Sequence, residues 1–123
     1  MTPEEMLREF HESLNVHNGL MPDHPGVYEV PIAIQDLRND LLSEEVEELY
    51  EAVSNDDIVK IADAIADIAY VVIGTAVTYG IPFDKVFAEV HRSNMTKTNS
   101  DNAKLLKGPG YSPPDIEGIL TSG

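Results

Sequence analysis

The chain has 123 residues, 42% of them hydrophobic, which suffices for one compact domain with one core and not for two. Acidic residues outnumber basic ones 22 to 8, for a formal net charge of −14, so a nucleic-acid polymer would meet repulsion rather than a basic footprint and is not expected as a partner. The least charged run, Ile68 to Ile81, is interrupted by Gly74 and Gly80 and no membrane span is expected; the opening MTPEEMLREF lacks the basic-then-apolar order of a secretory signal, and there is no cysteine for disulfides, so the expected location is cytoplasmic.

Thr2 as N-cap and Pro3 at the first helical position predict a helix that runs to about Val16, with Met6, Leu7, Phe10 and Leu14 on one face. Residues 18–31, with Gly19, Pro22, Pro25, Gly26 and Pro31, read as an irregular connection, long enough to be functional or to wrap a partner. A second helix starts near Pro31, carries Ile34, Leu37, Leu41, Leu42, Val46, Leu49 and Val53, and ends around Ser54 and Asn55. Asp56 and Asp57 precede a third, through Ile61, Ile65, Ile68, Val72, Ile73 and Ala76, which stops at Tyr79-Gly80. Apolar residues surround most of it, which predicts a central position. Pro82 opens a fourth helix, with Val86, Phe87 and Val90 inward, ending near Met95. From about residue 97 to 123 the composition turns to Gly, Pro, Ser and Asn and predicts an extended tail rather than a packed element. The expected fold is a single all-α domain over 1–123, a four-helix bundle of helical hairpins that completes its core in a homo-oligomer.

Carboxylates concentrate on two of these helices. Glu44, Glu45, Glu47 and Glu48 fall within five residues; at 100° per residue Glu44, Glu45 and Glu48 share a face, with Glu47 and Glu51 toward its edge. Such a cluster alone reads most simply as a solvated helix face, but Leu41, Leu42, Val46 and Leu49 flank it and place part of the stripe beside the core. On the third helix Asp63, Asp67, Tyr70 and Gly74 follow i, i+4, i+7, i+11 spacing and line one stripe of a helix otherwise built of Ile, Ala and Val. Carboxylates on a buried helix are costly unless paired or bound to a cation, and Lys60 can pair with only one of them.

An all-oxygen donor set suits a hard divalent cation, with Mg²⁺ favoured over Ca²⁺ where a few carboxylates and several waters complete an octahedron. Zinc is disfavoured: there is no cysteine, and His11, His17, His24 and His91 are scattered without ligand spacing. No Glu-x-x-His pair supports a di-iron centre either. On the fourth helix Asn94 shares a face with Phe87 and Val90, where a polar group needs a partner, either a helix cap or a ligand's base or sugar. Arg92, Lys97, Lys104 and Lys107 gather positive charge beyond it, where phosphates would find counter-charge.

With these residues in view, the chain resembles the all-α nucleoside triphosphate pyrophosphohydrolases, the MazG-like superfamily that includes the dimeric dUTPases. The likeness lies in LLSEEVEELYEA, IADAIADIAYVVIGTAVTYGI, VFAEVHRSNMTK, the tail LLKGPGYSPPDI and the opening REFHE, and so covers most of the chain. The superfamily's pattern, Glu-Glu-x-x-Glu followed by Glu-x-x-Asp, maps onto Glu44, Glu45, Glu48 and Asp67; Ala64 stands where the second Glu belongs, with Asp63 one residue earlier.

The resemblance implies a Mg²⁺-dependent hydrolase, with Mn²⁺ able to substitute, that splits a nucleoside triphosphate into monophosphate and pyrophosphate. It implies Glu44, Glu45, Glu48 and Asp67 as the catalytic set and the same residues with Asp63 as metal ligands. Tyr70, Arg92, Asn94, Lys97 and Lys107 become the expected substrate contacts, and a homodimer or homotetramer with sites near its interfaces the expected assembly. The base stays open among dGTP, dUTP, dCTP and damaged nucleotides, and Tyr70 or His91 offers a ring for stacking. Ala64 keeps a second class in play, a non-catalytic helical module that binds a cation or a protein partner.

Overall fold

In the computed structural model, residues 1–14, 27, 29–99 and 105–122 are described, and most of the 18–31 connection, the expected end of the first helix near Val16, and His17, His24 and Lys104 lie outside them. The first helix, α1 (Pro3–Ser13), starts where its sequence caps it, the Glu5 N–H donating to Thr2 Oγ1 at 3.2 Å. Pro31 provides the entry to α2 (Ile32–Ser54), its carbonyl accepting from the Ile34 and Gln35 N–H groups, while Gln35 Nε2 donates to the Val30 carbonyl.

A connection of three residues, 55–57, with Asp56 at φ 51°, turns the chain into α3 (Ile58–Thr78). Asp57 caps that helix by accepting the Lys60 N–H, relieving one of the unpaired donors of its first turn. At the other end Gly80 takes φ 71°, a conformation that costs a side chain about 1–2 kcal/mol. It lets the Ile81 N–H reach the Ala76 carbonyl and the Gly80 N–H that of Val77, a Schellman closure.

The chain forms two compact units, Met1–Ile81 and Pro82–Gly123. In the first, α2 and α3 pack along their length as an antiparallel hairpin and α1 lies against α3. Its buried apolar residues are Leu7, Val30, Ala52, Ala64, Ile73, Ala76 and Val77, the last with no exposed surface. Gly74 belongs to the α1 contact: a Cβ there would come within 3.3 Å of the Leu7 side chain and 3.2 Å of His11 Nε2.

The centrality expected of α3 holds chiefly for its C-terminal half, Ala64 being the buried residue of the N-terminal half. Ile58 and Val59, at 73% and 75% exposure, and Ile65 leave the N-terminal half apolar and open. By length and composition α3, with a mean hydropathy of 1.6, also meets the measure of a membrane-crossing helix, although the sequence suggested no such span.

The second unit begins with α4 (Phe83–Asn94), which follows Pro82 as expected. Its inward face differs from the sequence reading: Phe87 is 61% exposed and Val90 is exposed too, whereas Ser93 is buried. Only Val86 of the expected trio is half-buried, because the helix rests on its Glu89 and Ser93 side. Nor is the tail extended throughout. Thr98–Asn99 (β1) pairs antiparallel with Leu105–Leu106 (β2), and Asp115 caps a short α5 (Ile116–Thr121) that packs on α4.

Candidate metal centre

Glu45 and Glu48 stand one turn apart on α2, and Asp67 faces them from α3, so that one carboxylate oxygen of each lies within 4.8 Å of the other two. The hairpin produces this convergence. Helix periodicity puts both glutamates on the α3 side of α2, and the tight 55–57 connection sets the antiparallel register that brings Asp67 level with them. Were the three oxygens all 4.8 Å apart, the point equidistant from them would lie about 2.8 Å from each, within a small side-chain rotation of the roughly 2.1 Å of Mg²⁺ coordination.

The electrostatics point the same way. Glu45 and Asp67 are half-buried and Glu48 is exposed, so the cluster opens to solvent on one side. Glu45 Oε2 is shielded from water and has no hydrogen-bond partner among the described residues. Burial raises the Glu45 pKa above the ordinary carboxylate value, as do the charges of Glu48 and Asp67, a hydrogen bond with Glu48 and the charge of Glu44. An orphaned, crowded carboxylate oxygen among all-oxygen donors is what a hard divalent cation relieves. These residues fit such an ion.

The other expected ligands stand beside the triad. Glu44 is exposed one residue before Glu45. Asp63, exposed one turn before Asp67, lines a cleft of about 270 Å³ with Glu48, Glu51, Ala52, Asn55, Lys60 and Ala64. Ala64, 3% exposed, is a wall of that cleft, so the position where the superfamily pattern asks for a carboxylate carries a methyl group. Tyr70 turns its ring edge-on to Phe10 of α1, with centroids 5.4 Å apart.

Arg92, Asn94, Lys97 and Lys107 belong to the second unit. Arg92 donates from Nε and Nη2 to the Glu89 carboxylate at 2.8 Å each, from Nη1 to Ser112 Oγ at 3.0 Å and from Nη2 to the Pro113 carbonyl at 3.1 Å. Glu89 also accepts the Asp115 N–H at 2.7 Å. Arg92 thus ties the tail to α4, and most of its donors are spent there. Asn94 is exposed at the last turn of α4, so the exposed Phe87 and Val90 face imposes no buried-polar demand on it. Lys97 is half-buried, and the Lys107 ammonium sits 5.3 Å from the centre of the Tyr111 ring.

One residue of this face escaped the sequence reading. Arg38, two helical turns before Glu45, reaches across to α3, where Nε donates to Thr75 Oγ1 and Nη2 to the Val71 carbonyl. Its i, i+7 relation to Glu45 was the available signal, easily taken for one more solvated charge.

The α2–α3 hairpin thus gathers acidic oxygens of Glu45, Glu48 and Asp67 into a donor set suited to a divalent metal, on which the family this chain matches typically depends. The family profile described as phosphoribosyl-ATP pyrophosphohydrolase matches residues 7–94. The chain belongs to this family, an all-α family of the MazG-like superfamily whose members are hydrolases of acid anhydrides. A comparison with curated proteins returns no match.

Proposed function

We propose that the chain is a Mg²⁺-dependent nucleotide pyrophosphohydrolase that converts a nucleoside or deoxynucleoside triphosphate, dGTP among the candidates, to its monophosphate and pyrophosphate. The observation that carries this reading is the triad of Glu45, Glu48 and Asp67 with its unpartnered Glu45 oxygen, in a chain of this family. Glu45, Glu48 and Asp67 would hold the cation, with Asp63 as a further ligand, directly or through water. When bound, the cation supplies charge neutralisation on the phosphoryl oxygens. Glu44 takes the proton of the attacking water as its oxygen bonds to phosphorus; the anhydride P–O bond breaks, and pyrophosphate departs with the electron pair. Lys97, Lys107 and Asn94 are the proposed contacts to phosphate and sugar or base. Tyr70 offers the exposed part of its ring to the base, and Arg92 supports the tail that carries Lys107.

The family match favours one further substrate, a phosphoribosyl-ATP, whose triphosphate presents the same anhydride. A pyrophosphate-release assay across dGTP, dUTP, dCTP, ATP and phosphoribosyl-ATP, with Mg²⁺ or Mn²⁺, separates these substrates. Turnover is expected to drop at least about a hundredfold in Glu48→Gln or Asp67→Asn, the loss of several kcal/mol of electrostatic stabilisation. Undiminished rates in both variants would remove the triad from the chemistry, and absence of turnover on the whole panel would leave a cation-binding helical module.

A homodimer or homotetramer is part of the proposal. The open apolar residues Ile58, Val59, Ile65 and Val72 of α3 supply the surface that a second copy covers. Sedimentation is expected at two or four times the 13.5 kDa chain mass, and a monomer at working concentration would contradict it.

A further inference from the structure

The basic residues of the first unit are Arg8, Arg38 and Lys60, and they have different surroundings. Arg8 is paired with Glu4 at 3.3 Å, and Lys60 stands in the acidic cleft with Glu48, Glu51 and Asp63. Arg38 instead enters the seam between α2 and α3, where both of its acceptors, Thr75 Oγ1 at 3.1 Å and the Val71 carbonyl at 2.8 Å, are neutral. Among the described residues no carboxylate comes within ion-pair distance of it. Burial lowers its pKa. A guanidinium has five N–H donors, and these two bonds leave three for another acceptor.

Gly74 makes room for this placement. A Cβ there would lie 2.7 Å from Arg38 Nη2. The chain therefore accepts a glycine inside a long helix, at a cost of roughly 1 kcal/mol relative to Ala, in a place where its absence of side chain admits a cation. A half-buried cation without a counter-charge is itself unfavourable, and an anion supplied from outside would complete it.

The position of the seam says what that anion is. Arg38 precedes Glu45 by seven residues on the same face of α2, about 10 Å of helix axis. Its acceptors Val71 and Thr75 lie one and two turns beyond Asp67 on α3, so the carboxylate triad and the guanidinium occupy successive stations along a single seam. A ligand with anionic groups both at a cation held by the triad and farther along the seam would engage the two together, and the planar donor fork of arginine suits phosphoryl oxygens.

We infer that Arg38 binds a phosphoryl group of the substrate other than those held through the triad's cation. The inference rests on the reading that the triad holds a cation and the substrate is a nucleotide. Two sources share this chemistry: the outer end of the triphosphate itself, or a separate phosphate on a ribosyl substituent. Inorganic tripolyphosphate carries only the first, and phosphoribosyl-ATP carries both.

The test measures calorimetric binding of Mn²⁺ alone to the full chain, then of tripolyphosphate and phosphoribosyl-ATP in its presence to Glu44→Gln, which lacks the proposed proton acceptor and leaves the ligands unhydrolysed, and repeats both with Arg38→Gln and with Gly74→Ala added. Arg38→Gln is expected to keep Mn²⁺ affinity within about twofold and to weaken phosphate-ligand binding about ten- to a hundredfold, as for a lost hydrogen bond to a charged group. Loss with tripolyphosphate assigns the outer triphosphate, and loss with phosphoribosyl-ATP alone assigns the ribosyl phosphate. Gly74→Ala keeps the charge but displaces the guanidinium, so it should weaken the same ligand without weakening Mn²⁺. Unchanged affinity for both ligands in Arg38→Gln would overturn the inference. If that variant does not fold, unchanged affinities in Gly74→Ala overturn it instead. Failure of the unaltered chain to bind Mn²⁺ would overturn the triad reading, and this inference with it.

Discussion

Replacing Glu48 with Gln should separate metal stabilisation from general charge effects. If Mg²⁺ is present at a hundredfold its dissociation constant, linkage stabilises the folded chain by about 2.7 kcal/mol. At about 2.1 cal/mol/K per residue, 123 residues give an unfolding entropy near 0.26 kcal/mol/K, so the melting temperature should rise by about 10 °C. Glu48 contributes one of three converging oxygens, and a tenfold loss of affinity on its removal would cut the rise to about 5 °C at the same Mg²⁺ concentration. Because the chain carries a formal −14, any cation will screen it somewhat, and Glu47→Gln provides the control: it removes the same charge from an exposed neighbour outside the triad. Calorimetry on protein stripped with a chelator, then titrated with MgCl₂, reads the difference. Equal Mg²⁺-induced shifts in Glu47→Gln and Glu48→Gln would refute the site, since screening alone would then account for the response.

Three further perturbations follow from the packing and the ion pairs. Val77→Ala, at a fully buried position, should lower stability by about 2 kcal/mol, or about 8 °C in melting temperature, and a change under 2 °C would contradict its core placement. The Arg92 hydrogen bonds, followed by the Asp115 N–H, hold Glu89 at about 2, below its unfolded value of 4.5; the stability this brings is complete above pH 4.5 and is lost as pH falls toward 2. The protection of the Asp115 amide, its exchange rate taken relative to that of an unstructured amide at the same pH, should therefore fall over that interval, and Glu89→Gln should abolish this fall. Gly80→Ala, at φ 71°, should cost about 1 kcal/mol by denaturant titration, whereas a neutral result would mean that the α3 terminus tolerates a side chain in that conformation.

Local chemistry was legible in the sequence. Thr2, Asp57 and Gly80 were readable as helix boundaries because each acts on backbone groups within a few residues of itself. The convergence of Glu45, Glu48 and Asp67 was legible because two periodic stripes joined by a short connection have few ways to pair. What stayed hidden depended on distant partners. Phe87 was expected inward from its spacing, but periodicity identifies a face without saying what covers it. The partners of Arg92 beyond α4, Ser112 and Pro113, lie twenty or more residues away, out of reach of any spacing argument. Arg38 was overlooked because a lone arginine on an acidic helix looks solvated until the gap at Gly74 is seen. Asp63, one turn before Asp67, shares a cleft with Glu48 of the triad, a neighbourhood that the helical spacing made readable.

The turn at 55–57 governs how the carboxylate cluster assembles. Glu45 and Asp67 are separated by 22 positions of one continuous helix-turn-helix stretch, so their encounter demands closure of a short loop and little chain entropy. Contacts of such short range form early in folding. The proposed cation cradle can thus take shape while the polypeptide is still maturing, and a cation arriving then would favour the hairpin before the remaining segments have found their places.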